Sequence, residues 1–100
     1  MKIDVCLSPA LYPFYSENEQ ETIVVVVDIF RASTSMCAAF GNGVDEIIPV
    51  ATIEEAKEYK VKGYLVGAER NVMRCDFADF GNSPFDYTPE KVKDKTIVFT

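Results

Sequence analysis

The sequence of 100 residues contains no histidine, and this absence removes several classes of enzyme. Mechanisms that use an imidazole as base or as metal ligand are excluded, including Ser-His-Asp and Cys-His catalysis. Cysteine is scarce too. Cys6, Cys37 and Cys75 are odd in number and show no C-x-x-C spacing, which indicates reduced thiols of a cytoplasmic protein rather than disulfides or a zinc site.

Long apolar runs and an excess of positive charge are also missing. The longest strongly apolar run, residues 23–27, is too short to cross a bilayer, and the first residues lack the apolar stretch of a signal peptide. We therefore expect no membrane partner and no secretion. The net charge of −6 argues against nucleic acid, because binding to it depends on Lys and Arg. A small anion is not excluded, since a metal ion or two local arginines can reverse the charge inside one cleft.

What the sequence does contain is an ordinary globular composition, with 48% hydrophobic and 26% charged residues, enough for one domain at most. Strands alternate with helices, which predicts a three-layer α/β/α fold with a mostly parallel or mixed sheet. The predicted strands are residues 2–7, 22–28, 46–50, 64–66 and 95–100. The predicted helices are residues 32–40, residues 52–62 and a short one that starts at Thr88.

Local signals support these elements. The β-branched run at residues 22–28 lacks alternation, which is typical of a strand buried on both faces at the centre of a sheet. Pro49 lacks an N–H group, so its strand is expected to end there or to lie at an edge. Thr52 and Glu55 have the spacing of a capping box at a helix start. Residues 8–21 predict a surface loop, and residues 67–88 a long irregular segment.

Ligands of open α/β sheets bind beyond the carboxyl ends of the strands, and three groups of polar residues follow predicted strands here. Asp28 with Arg31 follows the central run, Glu69 with Arg70 follows the fourth strand, and Thr100 ends the last strand. A carboxylate held at the end of a buried strand suits a hard metal such as Mg²⁺. Guanidinium groups match phosphate, sulfonate or carboxylate oxygens.

Each of these residues also has a plainer interpretation. Asp28 could cap the next helix, and Ser33 and Thr34, which could receive phosphate oxygens at the helix start, could be capping groups as well. An arginine after a strand is more often part of a surface salt bridge. Asn82 and Ser83 could hold a substrate oxygen or could simply hydrogen-bond their own backbone in a turn.

Three other phosphate chemistries are excluded or disfavoured. A cysteine phosphatase needs an arginine six positions after its cysteine, and tyrosine or glycine stands at those positions. The P-loop motif G-x-x-x-x-G-K-[ST] is absent. An aspartyl-phosphate enzyme of the haloacid dehalogenase type would carry a second aspartate at position 30, which is Phe30. With no histidine and no suitable cysteine, a metal that polarises phosphate and activates water is the main route left.

Taken together, these segments resemble the 2-phosphosulfolactate phosphatase family. The run of valines followed by Asp28, Arg31 and residues 32–34 is similar to the family's Asp-x-x-Arg-Ala-(Ser/Thr)-(Ser/Thr) segment. Residues 41–56, 67–70 and 80–90 resemble its next three blocks, in the same order and spacing. A small departure is Ala68, which stands where Gly would be expected to meet Glu directly.

The resemblance implies Mg²⁺-dependent hydrolysis of a small anionic phosphoester, 2-phosphosulfolactate in the route to coenzyme M. It implies that Asp28 and Glu69 are the catalytic carboxylates at the metal and that Arg31 and Arg70 bind the anion. It further assigns phosphate or sulfonate oxygens to Ser33, Thr34, Asn82, Ser83 and Thr100. Whether a carboxylate acts as base or as nucleophile stays open, and so does the choice among phosphorylated hydroxy acids.

Family members are longer and continue past a strand like residues 95–100 into a loop that belongs to the site. Residues 1–100 are therefore interpreted as the N-terminal part of a single α/β phosphatase domain, truncated at its C-terminus. The alternative is a non-catalytic anion-binding or assembly domain that keeps the fold. Homo-oligomers are a further alternative, because a truncated sheet would expose the strand at residues 96–100 as an edge.

Overall fold

The computed structural model describes residues 1–15 and 21–100. In this part the regular elements are α1 (Ala32–Gly41), β1 (Glu46–Pro49), α2 (Ile53–Val61), β2 (Leu65–Gly67), β3 (Glu69–Arg70), β4 (Met73–Arg74), α3 (Pro89–Val92) and β5 (Thr96–Phe99). Two 3₁₀ helices, Pro9–Phe14 and Pro84–Asp86, complete it. The first of them lies in the loop predicted at residues 8–21, of which residues 16–20 lie outside the described residues.

A parallel sheet of three strands in the order β1-β5-β2 organises the described part of the chain. Ile97 of β5 is in register with Ile47 of β1 on one side and with Leu65 of β2 on the other. Strands β3 and β4 form a separate antiparallel pair. Pro49 is the last residue of β1, which lies at one end of the strand order, so the position expected from its missing N–H is confirmed.

The core lies on both faces of this sheet because β5 alternates its side chains between them. Ile97 and Phe99 pack in one buried cluster with Ala39 of α1. Val98 points to the opposite face and packs with Ala56 of α2. Helices therefore cover both faces of a parallel sheet, and the predicted α/β class is confirmed.

The local signals for helix ends are also confirmed. The Thr52 hydroxyl accepts a hydrogen bond from the Glu55 N–H group, and the Glu55 carboxylate accepts one from the Thr52 N–H group, as a capping box requires. Gly63 follows α2 with a φ angle of +94°, a backbone conformation that residues other than glycine rarely adopt. Thr88 precedes α3, and Pro89 is its first residue.

Two of the predicted strands are wrong. Residues 2–7 and 22–28 adopt no regular secondary structure, and their large apolar side chains are exposed. A β-branched run indicates a buried strand only where a neighbouring strand and a covering layer meet it, and in the described part β5 occupies the centre of the sheet instead. The expected exposed edge at residues 96–100 is wrong for the same reason, because β1 and β2 flank β5 on both sides.

Within residues 1–15 and 21–100, no helix combines the length and the apolar character needed to span a bilayer.

Candidate functional site

Glu69 joins two of the loops that were predicted to meet beyond the strands. Its Oε2 atom accepts a hydrogen bond of 2.9 Å from the Arg31 guanidinium and another of 2.9 Å from the backbone N–H of Asn82. The Glu69 side chain is only 12% exposed. The structure therefore brings Arg31, Glu69 and Asn82 together, although 38 residues separate the first two along the chain.

The turn before α1 is closed by Asp28, Ser33 and Thr34. The Asp28 carboxylate accepts a hydrogen bond of 3.0 Å from the N–H of Ala32, the first residue of the helix. The Ser33 hydroxyl donates to the Asp28 carbonyl, and the Thr34 hydroxyl donates to the Ile29 carbonyl at 2.7 Å. Asp28 thus accepts an N–H group at the helix start, as considered from the sequence, whereas Ser33 and Thr34 donate to carbonyls and cap no N–H group. Only one oxygen of the Asp28 carboxylate, Oδ2, takes part in the bond to Ala32.

Arg70, the last residue of β3, meets Thr100, which directly follows β5. The Arg70 guanidinium donates to the Thr100 hydroxyl at 3.0 Å and to the Glu69 carbonyl at 2.7 Å. The Thr100 N–H donates to the Gly67 carbonyl at 3.0 Å, which extends the pairing of β5 with β2. Arg70 therefore bonds the backbone carbonyl of Glu69, whereas Arg31 bonds the Glu69 side-chain carboxylate.

Asn82 and Ser83 contribute differently. The amide oxygen of Asn82 is buried and has no hydrogen-bond partner within the described ranges, which is unusual for a buried polar atom. Ser83 stands before the 3₁₀ helix Pro84–Asp86, and its hydroxyl makes no capping bond there. The backbone of Asn82 is held at Glu69, and its side chain keeps an acceptor without a partner.

Two buried hydroxyls that the sequence did not single out support the segment before Ser83. The Ser35 hydroxyl donates to the Asn82 carbonyl at 2.5 Å, and the Tyr87 hydroxyl donates to the Gly81 carbonyl at 2.6 Å. Both residues are fully buried. Burial raises the pKa of the Tyr87 hydroxyl above its usual value, and the charges of Asp86 and Glu69 raise it further.

The only sequence signal for Ser35 is its place four residues after Arg31, which puts it one helical turn further along α1. Tyr87 lies two residues before the proline that starts α3, where nothing local indicates that its hydroxyl reaches back to Gly81. Contacts of this kind depend on the fold as a whole.

Two glycines allow the backbone to approach these groups closely. A Cβ atom on Gly67 would lie 2.7 Å from the Tyr87 hydroxyl oxygen and 3.0 Å from the Phe99 ring. A Cβ atom on Gly81 would lie 3.3 Å from the Glu69 carboxylate. The site is therefore packed too tightly at Gly67 for any other residue without rearrangement.

The donor groups at this site fit a magnesium ion in kind. Residues 1–15 and 21–100 contain no group of three or more His, Cys, Asp and Glu side chains arranged to hold a metal. Mg²⁺, however, is usually held by one or two carboxylates, with water and substrate phosphate oxygens completing the octahedron. Glu69 is one such carboxylate, and Asn82, whose backbone N–H bonds it, carries an unpartnered amide oxygen, a further hard donor. Asp28 is a second carboxylate, with one oxygen outside its bond to Ala32.

Comparison with known proteins identifies relatives across almost the whole chain. Residues 6–100 match the family model described as 2-phosphosulpholactate phosphatase. A protein of Clostridium novyi (strain NT) is 42% identical over 103 residues, which cover 100% of this chain. One of Thermotoga maritima is 42% identical over 98% of the chain, and one of Caldanaerobacter subterraneus subsp. tengcongensis is 44% identical over 81%. All three relatives carry the name "Probable 2-phosphosulfolactate phosphatase".

These relatives are considerably longer than the chain. The matched region makes up 43% of the Clostridium novyi protein, 40% of the Thermotoga maritima protein and 35% of the Caldanaerobacter protein. The chain thus spans less than half the length of each of these relatives.

Proposed function

Because the chain belongs to the 2-phosphosulpholactate phosphatase family, we propose that it serves the magnesium-dependent hydrolysis of a small phosphoester. The substrate we propose is 2-phosphosulfolactate, and the products are sulfolactate and phosphate, a step of the coenzyme M biosynthesis type. We place the reaction in the cytoplasm, where the three free cysteines would stay reduced.

The observation that carries the proposal is the meeting of Arg31, Glu69 and Asn82 inside a chain that matches the family from residue 6 to residue 100. A guanidinium matches the oxygens of an anionic ester, and a carboxylate with an amide oxygen can hold a metal ion beside it. Their convergence in a chain with a net charge of −6 supports a local anion site rather than general attraction of anions.

In this proposal Asp28 and Glu69 hold the metal. When bound, Mg²⁺ neutralises charge on the phosphate and lowers the pKa of a bound water. Arg31 lies against Glu69 with its guanidinium partly exposed, so its remaining N–H groups are available to orient the phosphate. One of the two carboxylates would either take the proton of the water that attacks phosphorus and displaces the sulfolactate oxygen, or attack phosphorus itself, displace that oxygen and then lose the phosphoryl group to water. Both versions use the same two residues.

The remaining residues would bind and orient the substrate. The hydroxyls of Ser33 and Thr34 donate to backbone carbonyls, so we assign their backbone N–H groups in the first turn of α1 to the phosphate. Arg70 with the Thr100 hydroxyl would hold the sulfonate or carboxylate at the end of β5. Asn82 and Ser83 would contact the same group from the opposite loop.

The test is release of phosphate from phosphosulfolactate and from phospholactate, with and without Mg²⁺. Because the chain spans 43% of the Clostridium novyi relative, it is assayed both alone and joined to the unmatched portion of that relative. We expect turnover that EDTA abolishes and Mg²⁺ restores. Asp28→Asn should lower turnover about 100-fold or more, as loss of a catalytic carboxylate does. Asp45→Asn, at an exposed position before β1, should leave turnover unchanged.

Absence of phosphate release from both substrates, with the protein folded and Mg²⁺ present, would overturn the proposal. An anion-binding domain without turnover would then bind inorganic phosphate in the absence of Mg²⁺, and Asp28→Asn would leave that binding intact or strengthen it. The names of the relatives do not favour this alternative.

A further inference from the structure

Two neighbouring segments near the start of the chain expose an unusual amount of apolar surface. Residues 23–27 are five consecutive β-branched side chains, and each is 54–91% exposed. Ile3, Val5 and Leu7 are 71–89% exposed. One groove is lined by residues 4–7 together with Val25 and Val27, so the two segments lie side by side. We call residues 3–7 and 23–27 the apolar strip.

Single exposed apolar residues are normal on protein surfaces, but a continuous apolar patch marks a surface that another element covers. The strip also combines high β propensity with the absence of any strand pairing within the described residues. Its composition is therefore that of a buried strand pair, while its surroundings in this chain are those of a loop. A partner that supplies both strand edges and apolar side chains would resolve this mismatch.

The relatives indicate where such a partner is found. The Clostridium novyi and Thermotoga maritima proteins match the chain over 98–100% of its length, yet the match makes up only 40–43% of their own length. Both proteins thus carry a large, similar amount of polypeptide outside the matched region.

The strip is continuous with the candidate site. A second cleft, of about 290 Å³, is lined by Val26 and Val27 of the strip and by Asp28, Ser33 and Thr34 at the start of α1. Any element that packs on residues 26–27 would border Asp28 as well. Residues 26–27 of the strip are therefore an exposed side of the cleft that contains Asp28.

From these observations we propose that the apolar strip is the docking surface for the polypeptide that the relatives carry outside the matched region. The docked element pairs with residues 23–27, buries their side chains and closes the wall of the cleft beside Asp28. The strip calls for a partner segment that has a free strand edge and apolar side chains. The proposal concerns assembly and does not depend on phosphatase activity.

The test is co-expression of the tagged 100-residue chain with the unmatched portion of the Clostridium novyi relative. We expect the two polypeptides to co-purify in a 1:1 ratio, and the amides of residues 23–27 to exchange hydrogen about tenfold more slowly or better than in the chain alone. Val25→Asp should abolish co-purification. Val61→Asp, a matched control at an 88% exposed valine on α2, should leave it unchanged.

Because the added portion could fail to fold by itself, the same measurement is made on the two pieces joined as one polypeptide. Protection of residues 23–27 in that single chain supports the proposal. Exchange as fast as in the 100-residue chain overturns it. Co-purification that survives Val25→Asp, or burial of the strip between two copies of the chain without the added portion, overturns it too. Phosphate release plays no part in these outcomes, so the proposal can fail or stand independently of the activity.

Discussion

The Tyr87 hydroxyl donates a hydrogen bond of 2.6 Å to the carbonyl oxygen of Gly81. On the other side of the same peptide unit, the N–H of Asn82 donates to the Glu69 carboxylate. The Tyr87 ring is fully buried and stacks on the rings of Phe80 and Phe99, with centroids 4.8 Å and 6.2 Å away. A core tyrosine thereby fixes the peptide that reaches the candidate site.

Tyr87→Phe keeps the stacked ring and removes only this hydroxyl. We expect a loss of about 1–3 kcal/mol in the free energy of unfolding, because the buried Gly81 carbonyl is left without a donor. Urea denaturation followed by circular dichroism measures it. Tyr64→Phe, at a partly exposed ring that packs edge-on against Tyr59, is the control and should stay within about 0.5 kcal/mol. Equal effects of the two variants would show that the bond to Gly81 contributes nothing.

The stability of the protein should fall at alkaline pH. Burial raises the pKa of Tyr87 in the folded state above the usual value near 10. The unfolded chain therefore releases this proton first, and the contribution to stability, complete below pH 10, is lost as pH rises towards the folded-state pKa. Each pH unit in this window should cost about 1.4 kcal/mol. In Tyr87→Phe the fall in the free energy of unfolding per pH unit above pH 10 should be smaller by that amount. An unchanged pH dependence would contradict the role given to Tyr87.

Gly67→Ala should destabilise the protein because its Cβ would lie 2.7 Å from the Tyr87 hydroxyl oxygen. Overpacking of this kind typically costs about 1–3 kcal/mol. Gly41→Ala is the control, since a Cβ there meets nothing within 4 Å at the end of α1. Combining Gly67→Ala with Tyr87→Phe should cost less than the sum of the two single changes, because the phenylalanine lacks the clashing oxygen. Strict additivity in urea denaturation would contradict the contact.

Thr52→Ala tests the start of α2. The Thr52 hydroxyl accepts from the Glu55 N–H at 3.2 Å, and its loss should cost about 1 kcal/mol in the free energy of unfolding. Hydrogen bonds from Thr52 and Ala51 lower the pKa of Glu55. The contribution of that carboxylate is thus present above its unfolded-state pKa and lost as pH falls through its folded-state pKa. Urea denaturation of the parent protein and of Thr52→Ala at a series of pH values checks this. The loss of stability on acidification should be smaller in Thr52→Ala than in the parent protein.

The elements set by local chemistry could be predicted from the sequence. The capping box at Thr52, the glycine after α2 and the proline at the start of α3 each depend on residues close along the chain. The alternation of strands and helices was enough to predict a parallel sheet covered on both faces. The rule that loops beyond strand ends come together placed Arg31 and Glu69 in one region, and the two residues do meet, although residues 22–28 form no strand before Arg31.

What could not be predicted depends on partners distant along the chain. The run at residues 23–27 has the composition of a central strand, yet the central strand of the described sheet is β5, because strand order is decided by pairing and not by propensity. Ser35 and Tyr87 have ordinary sequence surroundings, and their role arises only when the fold brings the carbonyls of residues 81 and 82 to them.

Glu69→Gln tests the residue on which the site converges. The glutamine amide can still accept from Asn82 but loses the negative charge that faces Arg31, so we expect phosphate release to fall about 100-fold while the protein stays folded. Glu58→Gln, on the exposed side of α2, is the matched control and should retain the parent rate. The assay uses the chain joined to the unmatched portion of the Clostridium novyi relative.

Adding Arg31→Ala to Glu69→Gln shows whether the two residues act as one unit. If Arg31 serves the reaction through Glu69, the double variant should be no slower than Glu69→Gln alone, because effects of residues that act together are not additive. If Arg31 also binds the phosphate with its remaining N–H groups, the double variant should show a higher KM at a similar kcat. A Glu69→Gln protein that releases phosphate at the parent rate would remove Glu69 from the catalytic residues and leave it as a structural partner of Arg31 and Asn82.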